Sequence, residues 1–63
     1  MYCIYVSNNG TNIQKVINDN GEIVRTDDIQ ALMDFAKKIK NKYPTLNVSI
    51  VEEGTDAIIV DYQ

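Results

Sequence analysis

Histidine and tryptophan are missing from this 63-residue chain, and cysteine and proline occur once each. Without histidine it lacks the side chain that most often moves protons near neutral pH. With Cys3 as its single thiol it cannot close an internal disulfide. No run approaches the roughly 18 apolar residues of a membrane span, and no charged start, apolar stretch and cleavage site mark a secretion signal. These absences lead us to expect a soluble chain in a reducing, cytoplasmic setting, with no membrane partner. Positive charge is also scarce: 6 Lys and Arg stand against 9 Asp and Glu, a net charge of −3. That balance removes general attraction to a phosphate backbone, so no direct nucleic-acid partner is expected. A glycine-rich phosphate loop, a zinc-ligand cluster and an aromatic stacking motif are all lacking. The expectation is therefore no metal site, no cofactor and no small-molecule substrate.

What is present describes an ordinary small globular domain. Hydrophobic residues make up 44% and charged residues 24%, which is not the composition of a disordered chain. One core spanning residues 1–63 is the limit for this length. The run Tyr2 to Ser7 is nearly all apolar and reads as a central strand. Asn8-Asn9-Gly10 and Asp19-Asn20-Gly21 supply hairpin-turn chemistry, giving a second strand from Thr11 to Asn18 and a third from Glu22 to Arg25. Asp27 reads as a helix cap with Gln30 completing a capping box. Ile29, Leu32, Met33, Ala36, Ile39 and Tyr43 then recur at spacings of three or four, predicting a helix from Asp28 to about Lys42 that ends at Pro44. Leu46, Val48 and Ile50 alternate with polar residues, and after a turn at Glu52-Glu53-Gly54-Thr55 the last strand runs from Ala57 to Tyr62.

The expected architecture is α+β, in the order βββαββ, with one helix on one face of a five-stranded mixed sheet. A right-handed crossover is expected to set the fourth strand beside and parallel to the first, giving the order 3-2-1-4-5. The helix stripe covers Ile4, Val6, Leu46, Val48, Ile50, Ile58 and Val60. The other face then carries Cys3, Tyr5, Val51 and Ile59 with no helix to cover it, and Tyr5 and Ile59 are expected at the surface.

The element order is similar to the opening topology of ribonuclease-H-like folds. That resemblance implies a metal-dependent nuclease with a carboxylate on the middle of its first strand. The first strand here reads Tyr2-Cys3-Ile4-Tyr5-Val6 and has none. The same truncated topology resembles small antitoxin-like proteins, in which it serves binding.

No catalytic residue emerges, since Cys3 sits within a strand with no evident neighbour to lower its pKa and reads as a packing residue. Glu52, Glu53 and Asp56 bracket a glycine turn at spacings unlike a calcium loop. Lys37, Lys38, Lys40 and Lys42 spread around the helix rather than lining one phosphate-binding stripe. Asn9-Gly10-Thr11 and Asn47-Val48-Ser49 match the glycosylation sequon but follow no secretion signal. The leading expectation is a non-enzymatic protein-interaction module that self-associates, as a homodimer, through Cys3, Tyr5, Val51 and Ile59 or through an edge strand. The alternative is a small acidic inhibitor or antitoxin-like protein, of phage or mobile-element type, that blocks a nucleic-acid-binding protein with Glu52, Glu53, Asp56 and Asp61.

Overall fold

The first hairpin sets the middle of the sheet. In the computed structural model, which describes residues 1–62, Tyr2–Asn8 form β1 and Thr11–Lys15 form β2. Between them Asn9 and Gly10 have φ of 55° and 80°, the positive values that a type I′ turn requires at both central residues. Asn12 also lies at φ 55°, and the register slips there: Val6 faces Gln14 while Asn8 faces Thr11. Strand β2 thus carries one extra residue, a bulge.

A second hairpin leaves the sheet edge and returns to it. The Asn18 N–H donates to the Glu22 carbonyl at 2.8 Å, and the Asn18 side-chain oxygen accepts from the N–H groups of Asn20 and Glu22. Ile17 faces Ile23 in an isolated bridge. The expected third strand shrinks to β3, Arg25–Thr26, and it does not lie beside β2. It pairs with β1, setting Arg25 opposite Cys3 and Thr26 opposite Tyr2. The other edge of β1 is occupied from Tyr2 to Ser7 by β4 (Asn47–Glu52), so β2 and β3 share one edge. The Val16 N–H donates to the Ile4 carbonyl at 3.0 Å between them. The two form a single edge strand from which residues 17–24 loop out.

This arrangement corrects the expected mixed sheet. Every pairing is antiparallel, and the order is β2-β1-β4-β5, with β3 on β1 and β5 at Ala57–Tyr62. The helical crossover starts from β3, which runs against β1. The strand it delivers also runs against β1. The likeness to ribonuclease-H-like folds is accordingly confined to the order of elements.

The helix α1 spans Ile29–Lys42. Its cap is Asp28 rather than Asp27: the Asp28 carboxylate accepts from the Ala31 N–H at 3.3 Å. Asp27 lies one residue too early and instead stands 3.4 Å from the Met1 ammonium. Gln30 therefore misses the capping-box position and donates to Asp34 at 3.3 Å. At the far end the Tyr43 N–H closes onto the Ile39 carbonyl at 2.8 Å, and Pro44 cannot continue the helix.

Leu32 and Ala36 press onto Ile4, Val48 and Ile50, all buried, with Val6, Leu46 and Val60 packed around them. Each large side chain in that cluster contributes about 1.5–3 kcal/mol by leaving water. Ile58 departs from the expected face. Ile50 faces Val60 and Val51 faces Ile58, so Ile59 is an inserted residue in a second bulge. Alternation runs correctly back from Tyr62 to Val60; one extra residue then reverses it, turning Ile58 to the side away from α1.

Candidate interaction surface

Strand alternation gives the helix-free face its own set of side chains, and cross-strand pairing orders them in rows. One row reads Lys15, Tyr5, Ser49 and Asp61 from β2 to β5. The next reads Arg25, Cys3, Val51 and Ile58. Tyr5, Ser49 and Val51 floor a shallow groove of about 300 Å³, bounded by Ser7 and Ile13 at one flank and by Ile58, Asp56 and Asp61 at the other.

The centre of this face is dry even though no helix covers it. Cys3 is 1% exposed and Val51 4%. Burial pushes the Cys3 thiol pKa up, and the Glu53 carboxylate pushes it further; Lys15 and Arg25 oppose this, and Asp56 adds to it. A raised thiol pKa means little thiolate, so Cys3 is a poor nucleophile and metal ligand. The charged side chains around it are themselves engaged: the Arg25 guanidinium stands 3.5 Å from Glu53, and the Lys15 ammonium lies 5.7 Å over the Tyr5 ring.

Of the residues singled out in the sequence, Cys3, Tyr5 and Val51 share this face. Tyr5 is half-buried beneath Lys15 rather than fully exposed. Ile59 is exposed, at 43%, but sits in the β5 bulge and is not among the groove residues. The four acidic residues do not form one patch. Asp56 and Asp61 border the groove, Glu53 pairs with Arg25, and Glu52 alternates to the helix side with Ile50. Two residues of the face, Lys15 and Ile13, are not among those singled out in the sequence, and Ile58 is assigned there to the helix-covered side. Both isoleucines are 61% exposed on the flanks of the groove. Pairing the hairpin from its Asn9-Gly10 turn alone would set Lys15 opposite Ile4 on the helix side; the bulge at Asn12 moves it opposite Tyr5, and Ile13 and Ile58 likewise lie next to bulges that no spacing rule anticipates.

Another apolar surface lies on α1, where Phe35, Ile39 and Tyr43 surround a smaller hollow with Lys38 and Lys42, and the Lys42 ammonium sits 5.6 Å over the Tyr43 ring. All its charges have one sign, unlike those of the sheet groove. No helix among the described residues is long and apolar enough to cross a membrane. Comparison with protein-family models, curated proteins and solved structures gives no match.

Proposed function

We propose that this chain is a non-enzymatic protein-interaction module that binds a second copy of itself through the helix-free face of its sheet. The observation that carries this reading is the pair Ile13 and Ile58, each 61% exposed, flanking a groove floored by Tyr5 and Val51. Large aliphatic side chains on both rims of one hollow stand in water only at a cost that association removes. The face also carries charge of both signs, Lys15 on β2 and Asp56 and Asp61 toward β5, which lets it complement the charge of its own copy. Edge pairing has less support, because bulges interrupt both outer strands, at Asn12 on β2 and at Ile59 on β5. The acidic-inhibitor reading also has less, since Glu53 is matched by Arg25 and Glu52 turns to the other side. The setting fits a reducing compartment such as the cytoplasm, where Cys3 remains a thiol.

Size limits the strength of such a contact. The molecule measures 26 × 25 × 21 Å. One face can bury no more than about 600 Å² per partner, which puts the pair at the border of weak, exchanging complexes. Sedimentation from about 10 μM to 1 mM, the range in which contacts of that size form, should show a monomer–dimer equilibrium. Ile58→Asp should keep its circular dichroism spectrum and weaken the dimer more than about tenfold. A wild-type chain that stays monomeric throughout would sink the reading.

A further inference from the structure

The row Lys15, Tyr5, Ser49, Asp61 has a cation at one end, an anion at the other, and a large and a small side chain between them. With strands about 4.8 Å apart, its ends stand about 14 Å from each other. Asp56 adds a second carboxylate at the acidic end, and in the next row Arg25 stands 3.5 Å from Glu53. The Lys15 ammonium lies 5.7 Å over the Tyr5 ring, toward the middle of the row.

Among the two-fold ways to stack this face on its copy, about 10 Å away, two keep the strands aligned and lay this row over itself. If the two-fold axis lies across the strands, each strand faces its own counterpart. Lys15 then meets Lys15, Asp61 meets Asp61 and Tyr5 meets Tyr5. If the axis runs along the strands, through the middle of the row, β2 of one copy faces β5 of the other. Lys15 then meets Asp61 twice, and Tyr5 stands over Ser49 twice, large against small. Like charges directly opposed weaken a pairing and opposite ones favour it, and interdigitation of large with small fills the space between sheets. We propose that the second copy docks with its two-fold axis parallel to the strands, so that Lys15 of each protomer lies over Asp61 of the other. This inference rests on the self-association reading and adds the geometry of the dimer to it.

Charge exchange tests it. Lys15→Glu and Asp61→Lys should each weaken dimerisation about tenfold in sedimentation equilibrium, and the double variant should return to within about threefold of wild type. Asp61→Lys is the stringent arm: it brings the net charge nearer zero, so relief of general repulsion would strengthen the dimer rather than weaken it. All three variants change exposed residues and should retain wild-type circular dichroism. A dimer that forms normally in both single variants, or one that the double variant fails to restore, overturns the axis and leaves self-association standing. A wild-type chain that never dimerises overturns self-association, and the axis with it.

Discussion

The two faces of this sheet are made by the same strands and kept dry in different ways. On one, Ile4, Val48 and Ile50 lie under Leu32 and Ala36 of α1, so their burial is the work of a whole element. On the other, Cys3 and Val51 are nearly as buried, yet their neighbours across the ladder are the side chains of Arg25 and Ile58. An element that leaves must unfold, whereas a long side chain that moves needs only a new rotamer. The contrast shows how a chain with one helix serves two faces: one is closed by the helix, and the other is closed only at its centre and left open at its rims.

The largest test of that difference is charge placed on the covered face. Val48→Asp would put a carboxylate at a position with no exposure, beneath the helix. Burying it uncompensated costs several kcal/mol, comparable with the roughly 3–9 kcal/mol of total stability expected at this length. Circular dichroism should show an unfolded chain, whereas Ile58→Asp on the open face should fold. A folded Val48→Asp variant would mean that the helix covers its face no more securely than side chains cover the other.

A smaller effect separates the two candidate caps at the start of the helical cover. Asp28→Ala removes the carboxylate that holds the Ala31 N–H and should lower the free energy of denaturant unfolding by about 1 kcal/mol. Asp27→Ala, which loses only an exposed ion pair with Met1, should change it little. A larger loss in Asp27→Ala than in Asp28→Ala would return the cap to Asp27, where the sequence pattern first set it.

How much of this was legible in the sequence follows from how many signals agreed at each place. The helix had a period, a proline stop and an acidic start, and only its cap moved, by one residue, because Asp27 and Asp28 are equally good caps by type. The Asn9-Gly10 turn was readable because its chemistry is nearly unique to type I′. Two features were not. The direction of β4 depends on which strand the crossover leaves, and β3 is two residues long, too short to betray that it had rejoined β1. Alternation along β5 is a single parity from end to end, and one inserted isoleucine among three consecutive apolar residues, Ile58, Ile59 and Val60, leaves no mark in composition. The interaction surface inherited that error, since the exchange of Ile58 for Ile59 is the same event seen from the other side of the sheet.

The finest test of the comparison is the reactivity of Cys3, because a thiol reports how its cover opens. Burial and Glu53 raise its pKa, so the folded chain holds the thiol proton more firmly than the unfolded one. That contribution to stability is present below the unfolded thiol's pKa, about 8.5, and is lost as pH rises through the higher folded value. The stability advantage of wild type over Cys3→Ala should therefore shrink above that pH. Alkylation at fixed pH separates two routes to the sulfur. If Cys3 were reached only through global unfolding, the roughly 1 kcal/mol lost in Asp28→Ala would speed the reaction about fivefold, following the population of open chains. If its cover opens locally, Asp28→Ala should leave the rate unchanged, while Glu53→Gln, which removes a carboxylate and frees Arg25, should raise it severalfold. The open face predicts the second pattern; a rate that follows global stability and ignores Glu53 would show that both faces are closed in the same way.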